Sequence, residues 1–452
     1  MDTRADLEGT CLYGLPRQDS RGSKQRRHVP QLFRRVPRDV LTGEGTARVI
    51  ETAVSVAEAV FAVSTTTYVA GLLWFLRGAR RAESSPEAGS APTIPPTLPA
   101  VAVVVAARNE VNHVEACLRS LSAQTFPADR YEVVLVDDGS TDGTGELART
   151  VAAELCRSGS RIRVLDGPST YGAGGSKKAA LGSGIAGSSG ELVLTTDADC
   201  AVPAGWVQSM VDHFSPETGA VIGFSQIGEP GAAASRLARW EGLDFLQLMT
   251  AAAGSCVQGH PMAASGQSLA FRRQAFEEVG GYGPVQHRVS GDDVLLLQLI
   301  RGTGRWKISF CGEEAGRVVH PPSTDLRSFL SRRARWASNA PMQLRLDPLF
   351  FLFMVATFTT SIALLIGPIL WAMGSVSAGF SLTMWSTKIT AELALAARGA
   401  RRFGRADLLG AFPCWTVLQP FYTVVVGVVG PFGFFRWKGR RVALGEARTA
   451  RL

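Results

Sequence analysis

Four short runs of unbroken apolar residues recur through the middle of the chain, at residues 101–107, 133–136, 162–165 and 192–195. Between them, residues 114–121 and 145–155 repeat their apolar positions at helical spacing. A strand that is apolar without alternation is buried on both faces. Strands of that kind separated by helices predict an α/β domain with a mostly parallel sheet covered on both sides. Ligands of such sheets bind beyond the carboxyl ends of the strands. Polar clusters fall at those ends: Arg108-Asn109-Glu110 after the first run, Asp137-Asp138-Gly139-Ser140 after the second, Asp197-Ala198-Asp199 after the fourth. In extended backbone, residues at i and i+2 face the same way, so Asp197 and Asp199 can share one hard cation and the phosphate oxygens it carries.

Longer apolar stretches flank this region. Residues 59–76 carry no charge and are followed by Arg77, Arg80 and Arg81, a run just long enough to span a bilayer within a helix at 49–81, or to lie in the interface with Glu51 and Glu58 on a wet face. Residues 82–99 read as a Ser/Pro/Ala-rich linker. Residues 349–373 form a second uncharged run of 25 residues, interrupted only by Gly367-Pro368. Residues 375–397 are a weaker span in which Lys388 and Glu392 stand at i, i+4, placed to neutralise each other inside a helix bundle. Residues 410–435 are apolar but hold Pro413, Pro420 and Pro431, which suits a kinked span or a re-entrant hairpin. The domain plan is thus a basic tail (1–48), a membrane helix (49–81), a linker (82–99), a catalytic domain (100–345), two or three membrane segments (346–435) and a basic tail (436–452). The arginines beside the first span, and Arg398, Arg401, Arg402 and Arg405 between the last two, put the domain on the cytoplasmic side of an inner or plasma membrane. The tails carry the opposite message, so the number of crossings stays open.

Composition supports this division. The 452 residues are 46% hydrophobic and only 19% charged, which fits a soluble domain joined to membrane segments. The net charge of +8 comes from arginines bunched beside apolar segments, which argues for membrane flanks and against nucleic acid. The seven cysteines are scattered with no Cys-x-x-Cys pair, which argues against a disulfide framework and against a zinc site. No Gly-x-Gly-x-x-Gly follows the first strand, which disfavours dinucleotide binding.

Two more clusters carry chemistry. Asp292 and Asp293 precede the apolar run 294–300, so Asp293 sits at a helix N-terminus, either as a cap or as a carboxylate held ionised by the helix dipole and able to act as a general base. Arg332-Arg333-Ala334-Arg335-Trp336 offers either a headgroup anchor or a diphosphate clamp beside a flat ring. Ser265-Gly266-Gln267-Ser268 makes a small-residue turn suited to a tight wall beside a substrate. Lys177-Lys178 open a helix after Gly174-Gly175, where lysines are more often solvated than turned towards phosphates.

The order of these clusters resembles the family 2 glycosyltransferases of GT-A fold, in their membrane-anchored bacterial form. The resemblance covers residues 100–345 and extends through the trailing apolar segments. It implies that Glu110, Asp137 and Asp138, with Asp197, hold the nucleoside, usually uridine. It also implies that Asp197 and Asp199 form the Asp-x-Asp motif, with Asp199 the more direct ligand of Mg²⁺ or Mn²⁺. Asp293 matches the base of the family's Glu-Asp pair, with Asp292 in place of the Glu. Residues 332–336 match its Gln-x-x-Arg-Trp motif, Arg332 and Arg335 meeting the diphosphate and Trp336 the acceptor. Arg332 stands where processive synthases have Gln, which favours single transfer. His320, beside two prolines, is either structural or a further metal ligand. The implied activity is inverting, metal-dependent hexosyl transfer from a nucleotide sugar to a lipid or lipid-linked acceptor at the membrane. A processive polysaccharide synthase and an inactive nucleotide-sugar-binding scaffold are the alternatives.

Overall fold

A computed structural model of the chain describes residues 43–84, 98–168, 177–231, 234–288, 290–432, 436–437 and 440–441. The basic tail before residue 43, the linker at 85–97, Gly174-Gly175 and the tail beyond 441 lie outside the described residues. The chain divides into Met1–Ala53 and Val54–Leu452. The first unit is described only where helix α1 (Gly43–Ser84) begins; the packing and the cleft described below belong to the second.

The apolar runs are strands: β1 (Val101–Ala107), β2 (Tyr131–Asp137), β3 (Ile162–Asp166) and β4 (Leu192–Asp197), with α2 (Val114–Ser122), α3 (Thr144–Arg157) and α4 (Lys177–Ala186) between them. Then come α5 (Trp206–Asp212), β5 (Thr218–Gly223), β6 (Ser225–Ile227), α6 (Arg236–Val257), β7 (Leu269–Arg272), α7 (Arg273–Glu278), α8 (Val294–Gly302), β8 (Lys307–Cys311) and β9 (Val318–His320). One seven-stranded sheet has the order β3-β2-β1-β4-β7-β5-β8, parallel except where β7 runs against β4 and β5. A small parallel pair, β6 and β9, stands beside it.

Alternate residues of each central strand feed two separate cores, which is why the runs lack polar positions. Val101, Val103 and Val105 pack with Leu118 and Leu121 of α2, Val151 of α3 and Trp206 of α5. Val104 and Val193 pack on the other side with Leu181 of α4 and Leu243 of α6. A Leu as fully buried as Leu118 contributes about 1.5–3 kcal/mol. In register, Ala107 lies beside Asp137 and Ala106 beside Asp197, so the first, second and fourth strands end at one edge.

The C-terminal part is helical: α9 (Leu326–Ala337), α10 (Ala340–Leu346), α11 (Pro348–Ala372), α12 (Ala378–Arg402) and α13 (Phe412–Val429). Among the described residues, three stretches are long and apolar enough to cross a membrane, Arg48–Arg81, Pro348–Ala372 and Ala406–Val429. The helix at 378–402, expected as a weak span, is not one of them. Its Lys388 and Glu392 do pair, at 2.6 Å and wholly buried, and Tyr68 of α1 donates to the same carboxylate at 2.7 Å. Helix α1 also begins earlier than the expected 49, at Gly43. It meets α6 backbone to backbone: a Cβ on Gly254 would come within 2.1 Å of the Phe75 carbonyl oxygen, so only glycine allows the approach.

Candidate active site

The carboxyl ends of β1, β2 and β4 open into a cleft of about 450 Å³. Its floor is knitted by the loops after β1 and β2. Asn109 adopts φ 52°, the only non-glycine positive φ among the described residues, with its Oδ1 accepting from Thr141 N at 2.9 Å and its N donating to Ser140 Oγ at 2.9 Å. Asn tolerates this region better than most residues, and strain of this sort gathers where a loop must be held in one shape. The neighbouring Glu110 N donates to Thr144 Oγ1 at 2.7 Å, which ties the first loop to the start of α3.

Of the residues assigned to the nucleoside, Glu110, Asp138 and Asp197 line the cleft. Arg108 approaches Asp138 at 3.5 Å. Asp137 is not among the lining residues; its Oδ1 accepts from Ser140 N at 3.1 Å and its Oδ2 lies against Gly145, where a Cβ would meet it at 2.2 Å. It shapes the turn under the cleft.

Asp199 also lines the cleft, and His320 Nε2 stands 3.2 Å from its Oδ2. The polar arrangement continues outward, because His320 Nδ1 is 3.5 Å from Arg332 Nη1, which is 3.4 Å from Glu241 Oε1. Glu241 is fully buried and accepts from both the N and Oγ of Ser323. Ligand atoms of Asp197, Asp199 and Cys200 lie within 4.8 Å of one another. Burial and the two aspartates push the Cys200 thiol well above its usual range, leaving the carboxylate oxygens as the donors for a hard cation.

Lys177 and Lys178, which looked more often solvated, are turned inward. Lys177 Nζ bridges Asp197 Oδ1 at 2.6 Å and Asp292 Oδ2 at 2.7 Å, while Lys178, 2% exposed, donates to the Ser290 carbonyl at 2.8 Å. Burial draws the Lys177 ammonium down, but Asp197 and Asp292 outweigh it and hold it charged, well above the usual lysine range. Burial pulls Lys178, with fewer compensating charges, down to about 8.

The Asp292-Asp293 pair is split by its surroundings. Burial raises the Asp292 carboxyl, yet Lys177 and Lys178 overcome it and bring it to about 2. Asp293 caps α8, accepting from Val294 N at 2.6 Å and from Gly266 N at 2.9 Å; burial and then the Asp292 charge push it above the ordinary aspartate range. One acid is fixed as an anion, and its neighbour is poised to take a proton. The expected tight wall is also present: a Cβ on Gly266 would lie 3.0 Å from Asp292 Oδ2 and 3.2 Å from Lys177 Nζ.

Helix α9 closes the cleft with Arg327, Ser328, Ser331, Arg332 and Arg335, and Arg335 Nη1 donates to Ser290 Oγ at 3.2 Å. Trp336 stands apart from this row. It is half-buried, its ring packs towards Phe245 and carries the Arg333 guanidinium 4.4 Å from its centre, and it is not among the residues lining the cleft. Helical rotation decides this, since 332 and 335 share a face that 333 and 336 do not. Arg333 pairs with buried Asp244 of α6, which also accepts from Trp415 and Tyr422 of α13. Glu241 and Asp244 were not singled out from the sequence, although two acids at i, i+3 within the apolar stretch 240–246 are a signal for buried partners.

Comparison with known proteins agrees with the geometry. The family model "Glycosyl transferase family 2" matches residues 102–280, and "Glycosyl transferase family group 2" matches residues 192–400. "Glycosyltransferase AglE" of Haloferax volcanii is 28% identical over 225 residues, covering 50% of this chain and 68% of that protein. "Beta-monoglucosyldiacylglycerol synthase" of Synechocystis sp. is 29% identical over 289 residues, 59% of this chain but only 55% of that protein. In fold, the chain is similar to the mannosyltransferase PcManGT from Pyrobaculum calidifontis, solved in complex with GDP-Man and Mn²⁺, with TM-score 0.53, 21% identity, and 83% of this chain and 98% of that one covered.

Proposed function

The chain belongs to the family 2 glycosyltransferases, and on that premise we propose that it moves a single sugar from a nucleoside-diphosphate donor to an acceptor hydroxyl presented at a membrane, in one inverting displacement. The observation that carries this reading is the opposite treatment of Asp292 and Asp293 within one charged cluster. A one-step displacement needs a single proton acceptor beside the attacking hydroxyl. Asp293 is that acceptor. Asp292, locked to Lys177, stays anionic and holds the ammonium in place.

Around that centre the other residues bind and orient. Glu110 and Asp138 line the nucleoside end of the cleft, Arg335 and Arg332 face the diphosphate, and the loops after β1 and β2 fix the floor. Asp197 and Asp199 fit a hard divalent cation by chemistry and position, with His320 steadying Asp199. Mg²⁺ or Mn²⁺ bound there would neutralise the departing diphosphate. PcManGT was solved with Mn²⁺ and a guanosine donor, while the resemblance favours uridine, so the base is a question for the assay. The three apolar stretches, and a relative named for a diacylglycerol product, support a membrane-bound enzyme acting on a lipid or lipid-linked acceptor from the cytoplasmic face.

The test is a panel of nucleotide sugars offered to the purified full chain, with Mn²⁺ or with EDTA, scoring nucleoside diphosphate release and the anomeric configuration of the product. Metal-dependent release with inversion is expected. Retention of configuration, or a product growing by many sugars per encounter, would refute the proposed displacement.

A further inference from the structure

The cationic row on α9 is longer than one diphosphate needs. Arg327, Ser328, Ser331, Arg332 and Arg335 all line the cleft, and at about 1.5 Å per residue the first and last stand about 12 Å apart along the helix. The Arg335 end belongs to the donor centre, because its guanidinium reaches Ser290 next to Asp292. Arg332 lies beside His320 and Asp199, its charge met by Glu241. Arg327 stands more than a turn farther on, is exposed, and like Arg335 forms no ion pair among the described residues. Asp325, the acid nearest to it in sequence, is turned to capping the helix, its Oδ1 accepting from Ser328 N at 2.8 Å. Leu326 beside it is 56% exposed, as is Leu344 on α10, shortly before the apolar helix α11.

From this arrangement we infer that the acceptor carries a phosphate, seated by Arg327 with the Ser328 and Ser331 hydroxyls beyond the donor diphosphate. The inference rests on the transferase reading and names the acceptor class for it. A second anion explains why the polar face continues past the donor centre, and an Arg with two hydroxyls supplies charge-assisted bonds to phosphate oxygens. The phosphate can belong to a lipid headgroup or to a soluble phosphorylated molecule. The exposed Leu326 beside Arg327 favours the lipid.

The experiment uses the full chain in a neutral detergent with its active nucleotide sugar and Mn²⁺. Phosphatidylglycerol, phosphatidylinositol, glycerol phosphate and diacylglycerol, each with a free hydroxyl, are offered in turn as acceptors. A phosphate-bearing acceptor is expected to exceed diacylglycerol by about tenfold in kcat/KM, the worth of one charge-assisted bond. Arg327→Gln is expected to raise the KM of that acceptor about tenfold with the donor KM unchanged, and Arg327→Lys to recover most of the loss. Preference for the two lipids over glycerol phosphate identifies a headgroup; equal use of glycerol phosphate identifies a soluble source. Turnover as good with diacylglycerol, or a change confined to the donor KM, overturns the inference and leaves the transferase reading standing. Nucleoside diphosphate release with none of the four acceptors would overturn both.

Discussion

Replacing Lys177 with Met tests the charged centre of the cleft. Its ammonium holds Asp197 at 2.6 Å and Asp292 at 2.7 Å, and is itself only 20% exposed. Methionine keeps the length and removes the charge, leaving Asp292 buried beside Asp293 with its closest cation gone. Breaking one partner out of a buried ion pair costs about 3–5 kcal/mol. At about 2 °C per kcal/mol for a large domain, the midpoint of thermal unfolding at pH 7 should fall by about 6–10 °C. A pH signature accompanies it. Asp292 sits at about 2 rather than 3.8, so it stabilises the wild type above its unfolded value, and the contribution disappears as pH falls from about 4 to 2. Lys177→Met should lose most of that dependence. Metal titration gives a second readout, because removing the cation that competes for Asp197 should lower the half-saturating Mn²⁺ concentration. A variant that melts within 1 °C of wild type (about 0.5 kcal/mol on the same scale) and requires the same Mn²⁺ would refute the bridge.

His320→Gln removes the imidazole beside Asp199 and should raise the half-saturating metal concentration about 10–100-fold, the usual effect of losing a residue that orients a ligand; an unchanged titration would leave His320 purely structural. Asp244→Ala leaves the buried Arg333 guanidinium without its carboxylate and should cost about 3–5 kcal/mol, seen as a lowered unfolding midpoint. Trp336→Leu should lower the midpoint while leaving the acceptor KM in place, because the ring packs towards Phe245 and Arg333; a raised acceptor KM with an unchanged midpoint would return Trp336 to the acceptor site.

The strands carrying the acids were legible in the sequence because both faces of the sheet are covered. Residues 101–107 read as a strand and are one, and the clusters after 107, 137 and 197 fall at one edge because the parallel register puts them there. The burial of Lys388 with Glu392 was legible from i, i+4 spacing alone. What stayed hidden depends on contacts distant in sequence. Nothing local to Lys177 announces that Asp292, 115 positions later, will reach its ammonium. The Arg-Trp cluster reads as one block, yet a helix turns it so that Arg332 and Arg335 line the cleft while Arg333 and Trp336 pack inward. Asp137 matched the nucleoside pattern by position, and its Oδ1 is engaged by Ser140 N in the turn after β2, a contact the pattern does not announce.

The most direct measurement is the turnover of Asp293→Asn with saturating donor, acceptor and Mn²⁺, beside wild type, on protein shown to be folded by its unfolding midpoint. Asn keeps the shape but has one acceptor oxygen where Asp293 uses two, Oδ1 for Val294 N and Oδ2 for Gly266 N, so one backbone bond is lost with proton acceptance, and the unfolding midpoint reads that structural part separately. The expected fall in kcat is about 10²–10⁴-fold with the donor KM unchanged. In the wild type, the acid limb of kcat should lie above the ordinary aspartate range, because activity needs the carboxylate and burial beside Asp292 raises its pKa. Sugar transfer by Asp293→Asn at the wild-type rate would contradict the assignment of Asp293 as the base.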